Sequence, residues 1–120
     1  MEILRTDGTT IIEDREFKSF KSLVEHCVEE DISLVGAFLI NADLGGTDLE
    51  GAYLINANLR GANLSNANLS DADLTGVNLN NADLTGVNLS NANLEDATLR
   101  RANLTGVILP KEIELSLIHI

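Results

Sequence analysis

From Leu34 to Leu109, Leu recurs at every fifth residue without a gap, 16 times in all. Two places before each Leu stands Ala or Val in 14 of the 16 units, with Ile32 and Thr47 as the exceptions. The residue just before Leu is Asn seven times and Asp four times. The second residue after Leu is Gly seven times, and Asn or Asp in most of the other units. Neither regular element accepts this rhythm. At about 100° per residue, five helical steps advance Leu by about 140°, so the Leu comb winds around a helix and leaves no apolar face. In a flat strand the side-chain period is two, so Leu residues five apart point to opposite faces.

The pattern is satisfied if each five-residue unit holds a short extended piece and a corner. Across Ala-Asn-Leu the strand alternation places Ala inward, Asn or Asp outward and Leu inward. The next two residues turn the chain. Gly, Asn and Asp suit the second of them, because corners call for φ > 0 or for side-chain bonds to the local backbone. A repeated corner closes the chain into a coil. Successive coils must then stack, each burying what the previous one leaves open, which predicts an all-β solenoid. The predicted core is Leu39, Leu44, Leu49, Leu54, Leu59, Leu64, Leu69, Leu74, Leu79, Leu84, Leu89, Leu94, Leu99 and Leu104.

The remaining segments read as ends. Residues 1–31 predict a hairpin plus a capping α-helix, 32–111 the repeat, and 112–120 a C-terminal strand or cap. In the stretch EILRTDGTTIIE, Asp7-Gly8 is a favoured two-residue turn, which pairs Leu4 with Ile11 and Ile3 with Ile12. Phe17, Phe20, Leu23, Val24, Cys27 and Val28 share one helical face, predicting a helix over about 19–30 that covers the first coil. After Pro110, Ile113, Leu115 and Leu117 alternate with polar residues as in a strand. A helix aligning Ile113, Leu117 and Ile120 fits nearly as well. Either form would cap the last coil, or pair two chains into a homodimer through 112–120.

Units such as Ala62-Asn63-Leu64-Ser65-Asn66 and Ala72-Asp73-Leu74-Thr75-Gly76 resemble those of the pentapeptide repeat family, A-[DN]-L-x-x, and the resemblance covers residues 32–111. It implies a right-handed quadrilateral β-helix with four units per coil, hence about four coils. Residues 20 apart then stack, and Leu54, Leu74 and Leu94 form one inner ladder. The family is frequent in bacteria, especially cyanobacteria, and many of its members have no assigned biochemical function. The resemblance implies a non-enzymatic structural or protein-interaction module. The alternative it offers is a DNA mimic that inhibits or protects DNA gyrase, since some members are acidic dimeric rods of that kind.

Charge and composition narrow the partners. The chain carries a net charge of −11, with acidic residues spread along its length. Nucleic-acid binding is not expected, because phosphate contacts need Lys and Arg. No polybasic segment addresses anionic lipid and no apolar run approaches ~18 residues, so no membrane role is expected. The opening MEILRTDGTT lacks the apolar core of a leader, and the expected location is cytoplasmic. The one cysteine, Cys27, excludes an intramolecular disulfide. With His26 and His119 the only histidines, neither a metal site nor a catalytic constellation is expected, and no cofactor is implied.

Two departures from the rhythm remain. Val35, Phe38, Ile40, Tyr53 and Ile55 stand at outward positions of the first two coils and form an apolar patch. Either the N-terminal hairpin lies over them or an unidentified protein partner does. Arg60, Arg100 and Arg101 fall on the second side, two coils apart. They are read either as solvated charges paired with nearby acids or as a phosphate site.

Overall fold

The computed structural model describes residues 2–5, 8–13 and 19–111. Within the repeat, every parallel bridge joins residues 20 apart, from Phe38↔Asn58 to Asn88↔Ile108. Each unit therefore stacks on the fourth unit before it, and the chain is a β-solenoid. The backbone bonds run along the stack. The Leu59 N–H donates to the Asn78 carbonyl at 2.8 Å, and the Asn78 N–H returns a bond to the Ala57 carbonyl at 3.0 Å. The inner wall is Leu alternating with Ala or Val, and the predicted Leu core is buried from Leu39 to Leu99. Each buried Leu contributes roughly 1.5–3 kcal/mol. Leu104 is half-buried, since the described residues place no further rung beyond it.

The corners follow one geometry. At the second residue after each Leu, from Gly36 to Gly106, φ lies between 58 and 71°. The Leu carbonyl accepts the N–H three residues on, as in Ala62 to Leu59 at 3.0 Å. A positive φ at the third residue of a four-residue turn is the type II requirement, which Gly meets without strain and Asn nearly so. Gly76 shows a second constraint. The side-chain Oδ1 of Asn56, one rung earlier, occupies the space that a Cβ at Gly76 would need, and Asn41 does the same at Gly61.

The outward Asn and Asp residues also work on the corners. Asn63 Oδ1 accepts the Ser65 N–H at 3.0 Å and the Ser65 hydroxyl at 2.7 Å. Asp73 and Thr75 repeat this at 3.1 and 2.6 Å. Each such residue is an Asx cap that satisfies an N–H the rung-to-rung ladder leaves over.

At the N-terminal end, strand β1 (Glu2–Leu4) pairs antiparallel with β2 (Thr10–Glu13). Ile3 faces Ile12 as expected, but Leu4 pairs with Thr10, not Ile11, across a register shift. The cause is a longer connection. The Arg5 N–H donates to the Thr9 carbonyl at 2.7 Å, leaving three residues between them, with Gly8 at φ 88°. Asp7, the other half of the expected turn, lies outside the described residues.

Helix α1 (Phe20–Glu29) starts at Ser19, whose hydroxyl oxygen accepts the Ser22 N–H at 3.1 Å. It buries Leu23, Val24 and Cys27 in the same apolar cluster as Leu34 and Leu54. The first rung is thereby sealed, with Leu34, Ala37, Leu39 and Leu44 all buried. The opposite end is more open: Ala102, Leu104 and Val107 are half-buried, and Ile108 and Leu109 are exposed. The strand, helix and homodimer readings of 112–120 fall outside the described residues.

Candidate functional site

The apolar patch is set by the two rungs nearest the helix. Val35 and Ile55 occupy equivalent positions one rung apart, as the 20-residue register requires, and both are half-buried. Ile40 is half-buried on the adjoining side. Phe38 and Tyr53 are different: 49% and 58% of their surfaces stay exposed. Among the described residues, the hairpin does not cover them. It joins the rung at its edge, where Arg5 bridges Ala37 antiparallel and the Phe38 N–H donates to the Leu4 carbonyl at 2.5 Å. The edge is closed by backbone pairing, and two aromatic faces are left standing on adjacent sides.

Arg60, Arg100 and Arg101 converge as the register predicts, and with Asn80 and Asn81 they line one groove. Their expected pairing with nearby acids is not seen: none of the three makes an ion pair among the described residues. Pairing by column would have shown this from the sequence, because their columns contain no acid.

A second groove, of ≈ 380 Å³, runs between α1 and the solenoid. It is lined by Glu25, Val28, Glu29, Asp48, Glu50, Gly51 and Asp71. Its carboxylates are dispersed along the walls, and no group of His, Cys, Asp or Glu among the described residues has the arrangement to hold a metal ion. Cys27 is buried on α1. Burial pushes its thiol above the ordinary value, partly offset by a backbone hydrogen bond. Little thiolate forms near neutral pH, which does not suit a nucleophile.

The Asp83 carboxyl is displaced from its ordinary pKa. The Thr85 hydroxyl at 2.6 Å and the Thr85 N–H at 3.0 Å hold its pKa below the ordinary carboxylate value, against a smaller opposing effect of desolvation. The unfolded chain therefore takes up this proton first on acidification. The stabilisation is present above the unfolded pKa and is lost as pH falls through the lower folded one. Asp83→Asn is expected to flatten the fall in melting temperature across that acid window. Thermal melts by circular dichroism from neutral to strongly acidic pH check this, and an unchanged slope would show that the Thr85 bonds do not favour the ionised form.

The family description "Pentapeptide repeats" matches this sequence in eight copies, over residues 32–71 and 67–106. Among solved structures, the chain is similar to a pentapeptide repeat protein from Nostoc Pcc 7120. The identity is 30% over 88% of this chain and 98% of that one, with a TM-score of 0.48. A pentapeptide repeat protein from the cyanobacterium Cyanothece 51142 is 40% identical over 68% of this chain and 55% of that one, with a TM-score of 0.35. QnrB1, a plasmid-mediated fluoroquinolone resistance protein, is 20% identical over 69% of this chain and 44% of that one, with a TM-score of 0.41. No curated protein matches. No helix among the described residues is long and apolar enough to cross a membrane.

Proposed function

We propose that this chain, which belongs to the pentapeptide repeat family, is a non-enzymatic protein-interaction module. In this reading residues 32–111 form a right-handed, four-sided β-helix of four coils. Residues 1–31 cap one end, and 112–120 cap the other or join a second copy. The exposure of Phe38 and Tyr53 carries the proposal. An aromatic ring left in water on a rod of Asn, Asp, Ser and Thr loses the burial that stabilises aromatics elsewhere. Its retention on two adjacent sides fits a partner that covers both, with the half-buried Val35, Ile40 and Ile55 as the floor.

Affinity capture from the native cell tests the surface. Phe38→Ser combined with Tyr53→Ser is expected to abolish recovery of the partner while leaving the circular dichroism melt unchanged, since both side chains are exposed. Undiminished recovery by the double variant discards the patch.

A gyrase-directed DNA mimic needs negative charge along the sides that meet the enzyme. The side that carries Arg60, Arg100 and Arg101 breaks that requirement. Gyrase supercoiling is accordingly expected to proceed unimpeded with the protein present at tens of micromolar, and inhibition there would restore the mimic as the better reading.

A further inference from the structure

Residues 32–109 hold three cationic side chains, Arg60, Arg100 and Arg101, against eight carboxylates. All three line one groove of ≈ 280 Å³ together with Asn80 and Asn81. The 20-residue register explains the meeting. One corner column runs Ile40, Arg60, Asn80, Arg100, and the next runs Asn41, Gly61, Asn81, Arg101. The side that leads into this corner runs Phe38, Asn58, Asn78, Thr98. None of these three columns contains Asp or Glu. A strip without acids, bearing every cation of residues 32–109, thus lies on a chain of net charge −11.

Two local features hold the arginines in place. At Ser65 and Thr75 the side chain two residues back, Asn63 or Asp73, caps the corner N–H. At Arg100 that residue is Thr98, and the Arg100 N–H donates instead to Asn80 Oδ1 of the preceding rung, at 2.9 Å. Asn80 thereby ties the Arg100 backbone to the floor of the groove. Arg101 sits at φ 59°, in a position that is Gly, Asn or Asp at every other corner from Gly36 to Gly106. An Arg is held there against its backbone preference, and strain of that kind is retained where a side chain has work to do.

We infer that this groove binds a compact phosphate-bearing small molecule of the diphosphate type. Arg60 and Arg100 lie two rungs apart, about 9.6 Å along the stack, so they approach a ligand from both sides of Asn80. Guanidinium forks take phosphate oxygens in pairs, and two linked phosphoryl groups present enough oxygens for three forks. The surroundings limit the ligand's size. Glu95 and Asp96 form the preceding corner, and Asp43 and Asp83 stand on the following side. An extended polyanion such as duplex DNA or an anionic membrane meets those acids, whereas a compact anion meets only the groove.

The test uses the full chain and inorganic pyrophosphate at low ionic strength. Calorimetry is expected to give one site, and arginine Nε–Hε resonances are expected to shift for Arg60, Arg100 and Arg101. Arg60→Gln with Arg100→Gln should weaken binding about tenfold or more at an unchanged melting temperature. Arg101→Asn separates binding from folding: Asn accepts the positive φ, so the melting temperature should rise while affinity falls. Absence of heat and of shifts at millimolar pyrophosphate overturns the proposal. So does undiminished binding by the Gln double variant, or by Arg101→Asn. Equal or tighter binding of duplex DNA or of phosphatidylserine vesicles overturns the compact ligand.

Discussion

Leu74→Asp is expected to abolish the folded repeat. Leu74 is fully buried, stacked by the register between Leu54 and Leu94. Its neighbours inside the solenoid are Leu, Ala and Val. Thr47 is the one polar residue buried among the described residues, and its hydroxyl is already spent on the Leu44 carbonyl. An Asp at position 74 loses the ~1.5–3 kcal/mol of Leu burial. It also leaves an unpaired charge whose desolvation costs several kcal/mol more. Domains of this size hold roughly 5–15 kcal/mol in total. The sum is comparable to the whole, so no cooperative melt should remain in circular dichroism. Leu74→Met, which conserves volume and polarity, should cost less than about 1.5 kcal/mol. A cooperative transition in Leu74→Asp close to that of the parent chain would mean that the interior has a polar outlet, contrary to the packing described above.

Gly76→Ala is the second large effect, and it has two separable causes. The backbone at Gly76 has φ 67°, which costs an L side chain about 1–2 kcal/mol. The new methyl group also overlaps the Asn56 Oδ1 from the preceding rung. Displacing that amide adds to the loss, for a total of about 2 kcal/mol or more. In an Asn56→Gly background the overlap vanishes and the φ cost stays. Denaturant titrations of the four chains in this cycle should therefore show Gly76→Ala milder when Asn56 is already Gly. Equal costs in both backgrounds would leave the backbone as the sole cause.

The Leu comb and the corners were legible in the sequence because each obeys a local rule that the fold repeats. The positive φ at Asn41, Asn66 and Asn81 is where residue chemistry placed it. The capping by Asn63 and Asp73 was not seen: alternation says only that these side chains point outward. The signal lay one step further on, in the Ser or Thr that follows the Leu in Asn-Leu-Ser and Asp-Leu-Thr. The hairpin register slipped by one at Leu4 because Asp-Gly is compatible with both two-residue and three-residue connections. Whether the hairpin covered Phe38 or paired with its edge depended on a contact between distant segments. Local pattern carries no record of that choice. The columns of the three arginines follow from the 20-residue register, and their lack of ion pairs among the described residues follows from which columns hold the acids.

The stacking interval has a consequence for how such a chain can lengthen. An insertion of 20 residues adds a storey and returns every later unit to the side it had before. An insertion of five turns everything downstream by one side. Arg100 and Arg101 would then leave the column of Arg60, while every Leu still pointed inward. Stability would register little difference between the two events, and the surface would register all of it. Drift in length on this scaffold is therefore quantised: steps of one unit rewrite the surface, and steps of four preserve it.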